Sequence, residues 1–206
     1  MLIQHGANVY LTDNKGWLPL DFAALRGFPA LGLLFQNESD LTDVDSKGRT
    51  LLPVVAKSGS KECFEFLVHH GNEINARDFR GQTVFGFSLQ SNLPYFVKYC
   101  IEIYLEYGGD ISAVDLVTGQ TMLHAAAGTD FIAAVDTLLK QGLDLEARDK
   151  NGNTPIAAAR GTPEMVQRLV DRGADLSAVN NRGLTPFQVC IAPATFACVN
   201  DRMKKN

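Results

Sequence analysis

The sequence predicts a mainly α-helical solenoid, on three observations. Glycines at Gly16, Gly48, Gly81, Gly119, Gly152 and Gly183 recur at intervals of 32, 33, 38, 33 and 31 residues. A fixed period in this range marks one supersecondary unit stacked repeatedly. Asp13, Asp45, Asp78, Asp149 or Asn180 stands three residues before five of these glycines, and Asp115 stands four before Gly119. Leu18, Thr50, Thr83, Thr121, Thr154 and Thr185 stand two residues after them, and apolar residues at helical spacing follow.

Each element of the unit has a physical reason. The Asp or Asn side chain bonds its own backbone and opens a turn. Gly then supplies the backbone angles that the tip of the turn requires. Thr caps the helix that follows, and Pro is tolerated at the first helical position in Thr154-Pro155 and Thr185-Pro186. Small residues come next, as in Ala23-Ala24, Val55-Ala56, Ala125-Ala126-Ala127 and Ala157-Ala158-Ala159, and their size lets adjacent units stack closely. A second helix ends each unit, as in Phe64-Glu65-Phe66-Leu67-Val68 and Met165-Val166-Gln167-Arg168-Leu169-Val170. Glycine closes most of these helices (Gly6, Gly71, Gly108, Gly142, Gly173) in the manner of a left-handed C-terminal cap.

These segments resemble ankyrin repeats. The resemblance is carried by Asp149-Lys150-Asn151-Gly152-Asn153-Thr154-Pro155-Ile156, by Gly119-Gln120-Thr121-Met122-Leu123-His124-Ala125-Ala126-Ala127 and by Arg172-Gly173-Ala174-Asp175-Leu176. It covers nearly the whole chain and agrees with the Thr-Pro-Leu-His-x-Ala pattern of that family. It implies antiparallel helix pairs joined by projecting β-hairpin fingers and stacked into a curved solenoid. On this basis residues 1–206 are expected to form a single ankyrin-repeat domain. Complete repeats fall at approximately 14–45, 46–78, 79–115, 116–149 and 150–180, with a partial repeat at 1–13 and a partial or capping repeat at 181–206. Because solenoids normally carry polar caps, the apolar start Met1-Leu2-Ile3 is read as a cut from a longer protein. The third unit departs most: it has Phe85-Gly86-Phe87-Ser88-Leu89 in place of the small pair and about five extra residues. The surplus is expected in the second helix, Tyr95 to Tyr107, or in the loop Ser91-Asn92-Leu93-Pro94.

Composition bounds the function. Hydrophobic residues make up 46% and charged residues 20%, an ordinary globular balance. A formal charge of −4 argues against a dedicated nucleic-acid binder. Four cysteines (Cys63, Cys100, Cys190, Cys198) form no CxxC pair, and four histidines leave little material for zinc. No apolar run reaches the roughly 18 residues of a membrane span, and no signal peptide is visible. The expectation is an intracellular, cytoplasmic or nuclear protein. There is no GxxxxGK[ST] loop, GxSxG elbow, HExxH helix or GxGxxG fingerprint, so no enzymatic activity, cofactor, metal or small-molecule substrate is expected. His69, His70 and Glu73 are the nearest thing to a catalytic cluster, and read better as solvated groups near a helix C-terminus. His124 occupies the family's Thr-Pro-Leu-His position and is read as structural. Asn75 ends a segment resembling the one on which the family is known for asparagine hydroxylation, and Asn37-Glu38-Ser39 is read as a chance glycosylation sequon.

What remains is surface, and the resemblance implies binding through the finger tips and the concave face of the first helices. Lys15, Lys47, Arg80 and Arg182 each precede a turn glycine, with Arg49 and Lys150 close by, and would form a basic row. Trp17, the only Trp, follows a turn glycine; Phe79 sits on the third finger, and Phe22 and Phe87 lie in first helices. Exposed aromatics there would make a hot spot. The expectation is a non-catalytic interaction module for another protein, with an apolar and partly acidic docking segment. Three alternatives stay open: the recruiting segment of a larger enzyme, receptor or effector; catalysis at His69, His70 and Glu73; and nucleic-acid binding along the basic row.

Overall fold

The structure, a computed structural model, describes residues 13–14, 19–26, 48–91, 93–159 and 163–189. The chain divides into two compact units, Met1–Asp110 and Ile111–Asn206. The first holds α1 (Pro19–Arg26), α2 (Leu51–Ser58), α3 (Lys61–His69), α4 (Val84–Leu89) and α5 (Pro94–Glu106). The second holds α6 (Met122–Gly128), α7 (Ile132–Lys140), α8 (Pro155–Ala158), α9 (Pro163–Asp171) and α10 (Pro186–Val189). The fold is helical: among the described residues there is no sheet, only isolated antiparallel bridges between Arg77 and Thr83 and between Val114 and Thr121.

The fingers between helix pairs form as the spacing predicts. In the finger of residues 78–82, Asp78 Oδ1 accepts the backbone N–H groups of Arg80 at 2.9 Å and Gln82 at 2.8 Å. Asp149 Oδ1 does the same for Asn151 and Asn153, and Asn180 Oδ1 for Arg182 and Leu184. Asp115, with one more residue before its glycine, takes the N–H groups of Val117 and Thr118 and the Thr118 hydroxyl. One short side chain thereby satisfies the donors that a tight turn would leave bare.

Helix starts are less uniform. Thr83 and Thr121 accept the N–H of Gly86 and His124, as N-caps should. Thr50 and Thr154 sit at the same point but make no side-chain cap bond, and their Oγ1 atoms are buried without a partner. In the first unit α2 packs between α1 and α4, with α3 against α2 and α5 against α4. Its sequence Leu51-Leu52-Pro53-Val54-Val55-Ala56 is buried on every side, which is what a helix flanked on three sides requires. Phe64 of α3 meets Phe96 of α5 edge to face, with ring centroids 5.9 Å apart. In the second unit α6 packs on α7 and α8, and α8 on α10.

The extra residues of the third unit lie in its second helix: α5 has 13 residues where α3, α7 and α9 each have nine. The large residues of α4 correct the expectation that Phe87 stands exposed. Held between α2 and α5, α4 buries Phe85, Phe87 and Leu89 together, and Phe87 is only 5% exposed. Where other first helices carry alanine, these side chains fill the space between neighbours. The start at residues 1–12, residues 160–162, the tail at 190–206, the sequon at Asn37, and Cys190 and Cys198 lie outside the described residues. No helix among the described residues is long and apolar enough to cross a membrane.

Candidate interaction surface

The first unit presents an aromatic side chain on a finger. Phe79 follows Asp78 at the turn, and its backbone position turns the ring outward until 76% of the residue is exposed. The ring is nevertheless held, because it lies against Gly48 of the preceding finger. A Cβ built on Gly48 would fall 2.4 Å from Phe79 Cδ1, so only glycine permits the approach. Arg80 stands next to it, exposed, on the same turn. Phe22, on α1, is 49% exposed. Arg49 departs from the expected basic row, since it is buried despite following a turn glycine. Lys15, Trp17 and Lys47 lie outside the described residues.

The second unit carries Arg182, exposed on the finger of residues 180–183, and a feature that sequence reasoning missed. On the finger of residues 115–119, Leu116 is 58% and Val117 50% exposed. The signal was available in the extra residue between Asp115 and Gly119 and in two aliphatic side chains at a turn tip. Successive fingers here are joined through their backbones: Lys150 N–H donates to Thr118 O at 2.9 Å and Asn181 N–H to Asn151 O at 3.0 Å. The Lys150 ammonium donates to the Leu116 carbonyl. Arg148 ties the base of the same fingers, donating to Gly152 O at 2.9 Å and Val179 O at 2.7 Å.

The titratable groups serve the framework. His124 is buried, and its Nδ1 accepts from the Thr121 backbone N–H at 3.3 Å while lying 2.9 Å from the Thr121 hydroxyl. That leaves Nε2–H to donate to Asn153 O at 2.9 Å, across to the next finger. Burial lowers its pKa from 6.5, so the neutral ring that this pattern requires is also the favoured one. Asn75 is a comparable joint in the first unit. Its Oδ1 accepts the Asp110 N–H at 2.7 Å and the Tyr104 hydroxyl at 3.0 Å, and its Nδ2 donates to Gly108 O at 3.2 Å. Burial pushes the Tyr104 hydroxyl up to about 12, so it stays a donor.

His69 and His70 turn their Nδ1 atoms back to the carbonyls of Glu65 and Phe66, each at 2.7 Å, and the Tyr107 hydroxyl lies 3.3 Å from His69 Nε2. These contacts close the end of α3. No group of three or more His, Cys, Asp or Glu suited to a metal occurs among the described residues. A cavity of about 270 Å³ in the second unit is lined by Ile111, Ser112, Thr121, Leu143, Asp144 and Ala147, with Gly142 at its edge. It has few polar groups converging on it, unlike a site that orients a small substrate.

A family profile described as "Ankyrin repeats (3 copies)" matches residues 1–78 and 88–180. The chain belongs to the ankyrin-repeat family. Potassium channel AKT2/3 of Arabidopsis thaliana is 33% identical over 152 residues, 72% of this chain and 18% of the channel. The B-cell lymphoma 3 protein homolog of Mus musculus is 25% identical over 184 residues, 86% of this chain and 40% of that protein. Among solved structures, the ankyrin repeat domain of human ASB11 superposes with a TM-score of 0.73 at 25% identity, covering 93% of this chain and 85% of that one. The chain thus spans 18 to 42% of the length of the curated relatives it matches. Ankyrin repeats are a protein–protein interaction fold, and the repeat domain itself is non-catalytic. Domains of this kind bind other proteins.

Proposed function

We propose that this chain is a non-catalytic module that binds a partner peptide or domain through its hairpin fingers and the concave face of its first helices. The observation that carries the reading is Phe79. A phenylalanine 76% exposed contributes little burial to folding, and its ring lies against Gly48, so an apolar anchor stands at a finger tip. An anchor whose rotamer is already restricted costs a partner less entropy to engage. Phe22, half exposed on α1, adds apolar surface in the same unit, and Arg80 beside Phe79 favours a partly acidic segment. Trp17, Lys15, Lys47 and Arg182 are further candidates by their place in the repeat. Phe87 has no part in it, since it is core.

The test is capture from a cell lysate with quantitative mass spectrometry, using the chain beside a Trp17→Ala/Phe22→Ala/Phe79→Ala variant shown by circular dichroism to be folded. A protein bound by the parent and lost with the variant supports the reading. A captured protein retained equally by the variant removes the aromatics from it.

A second reading is favoured by the coverage figures. Relatives about two to four times as long as this chain, a potassium channel among them, contain a matching stretch as one part. In that reading the repeats recruit a partner or substrate for a larger enzyme, receptor or effector. Sequencing the full transcript decides it, and the binding surface is the same in both.

A further inference from the structure

We propose that the finger tips of the second unit form a docking step for an extended partner segment that carries an acidic side chain beside a branched aliphatic one. Lys150 takes the carboxylate, and Leu116 and Val117 take the aliphatic group. This rests on the reading of the chain as an interaction module and adds a subsite with its own specificity.

The apolar half of the step is the exposed pair Leu116 and Val117, which the finger lifts into solvent rather than into the core. The charged half is prepared by the neighbouring finger. The Lys150 stem crosses Gly119 closely, since a Cβ there would fall 2.9 Å from Lys150 Cγ, and the ammonium ends on the Leu116 carbonyl. An ammonium has three N–H donors, so two remain for a ligand at a position already fixed. A lysine normally gives up substantial rotamer freedom when it binds; here most of that loss is taken in the fold, and the charge is set beside two aliphatic side chains.

Charge complementarity selects the occupant. Although the protein is acidic overall, the carboxylates at these tips are turned inward. Asp115 accepts the Val117 and Thr118 N–H groups, and the buried Asp149 accepts those of Asn151 and Asn153. No ion pair neutralises Lys150 among the described residues, and Arg182 stands exposed on the next tip. The charged side chains facing outward at these tips are therefore cationic, beside the aliphatic pair and the neutral Asn151 and Asn181, with the acidic ones spent on the turns. The tips also run in register, Thr118 O to Lys150 N and Asn151 O to Asn181 N, so an extended chain lying across them meets the aliphatic pair, the ammonium and the guanidinium in turn. A phosphodiester backbone would satisfy the cations but leave Leu116 and Val117 uncovered, which favours a peptide.

The experiment selects random displayed dodecapeptides on the full chain at low salt. Enriched sequences are then synthesised with a fluorophore and titrated by anisotropy against the parent, Lys150→Gln, Lys150→Arg and Leu116→Ser/Val117→Ser. All of these replacements are at exposed side chains, and circular dichroism checks that each variant is folded. The expected result is enrichment of Asp or Glu within two residues of Leu, Ile or Val. Lys150→Gln should weaken binding about tenfold, the loss of one hydrogen bond to a charged group, with Lys150→Arg weakening it less. The serine pair should weaken it by a similar factor. Enriched peptides that lack the acidic–aliphatic pair, or that bind all variants equally, overturn the inference, as does a selection that enriches nothing. Peptides lost on Phe79→Ala but indifferent to Lys150→Gln overturn it while leaving the interaction-module reading standing. Tighter, Lys150-dependent binding of a single-stranded oligonucleotide than of any peptide reassigns the tips to nucleic acid.

Discussion

Replacing Gly152 by alanine tests the finger-to-finger packing at a single atom. Gly152 has φ of +76°, and an alanine held there costs about 1–2 kcal/mol on its own. The added methyl would also lie 2.4 Å from Asn181 Oδ1 and 2.8 Å from the Asn181 backbone nitrogen. The carboxamide can swing aside, but the backbone nitrogen cannot move without stretching its 3.0 Å bond to Asn151 O. Losing that bond adds about 1 kcal/mol, which brings the total to about 2–3 kcal/mol. The control is Gly142→Ala in the same unit: φ is +85°, with no heavy atom within 4 Å of the new methyl. It pays the backbone term alone, about 1–2 kcal/mol. Urea unfolding followed by circular dichroism measures both. If the two variants are destabilised equally, the fingers are not in the close contact described, and the register argument for the docking step fails with it.

Other expectations follow from the same geometry. Asn75→Ala removes the acceptor of the Asp110 N–H and one of the two acceptors of the Tyr104 hydroxyl, which keeps Asp110 O at 3.2 Å, and should cost about 1 kcal/mol in urea unfolding. A double mutant with Tyr104→Phe should lose less than the sum of the singles. His124 has a pKa lowered below 6.5 by burial, so the unfolded chain takes up a proton before the folded one does. Its contribution is therefore fully present above pH 6.5 and is lost as pH falls from there toward the folded value; His124→Ala should flatten that part of a stability–pH curve. Phe79→Ala should leave unfolding within about 0.5 kcal/mol of the parent, because most of the side chain is in solvent, while partner capture falls. A large loss of stability would make Phe79 a packing residue.

Much of the repeat was legible because its determinants are local. An Asp three residues before a Gly bonds amides two and four residues on, and nothing distant needs to be known for Asp78, Asp149 or Asn180 to do this. The family match over 1–78 and 88–180 bears out that reading. The site was less legible, because exposure is decided by neighbours. Phe87 and Phe22 both lie in first helices, yet α4 is held between two helices and buries Phe87. Arg49 and Arg80 both flank turn glycines, and only Arg80 reaches solvent. Thr50 and Thr154 fit the cap position by sequence but make no cap bond, a matter of side-chain orientation that spacing does not encode. Leu116 and Val117 fall outside the periodic pattern, which places charged residues beside the glycines. An irregular finger, one residue longer, placed aliphatic groups there instead.

The backbone bonds between finger tips have a consequence for hydrogen exchange. An amide at the tip of an exposed hairpin ordinarily trades its proton with water almost at once, but Lys150 and Asn181 direct theirs into carbonyls of the preceding finger. Neither proton can leave until one finger draws away from the next, however wet the surrounding side chains are. These two amides are thus clocks for the parting of adjacent repeats, set at the outermost point of the molecule, and a ligand lying across the tips would slow both.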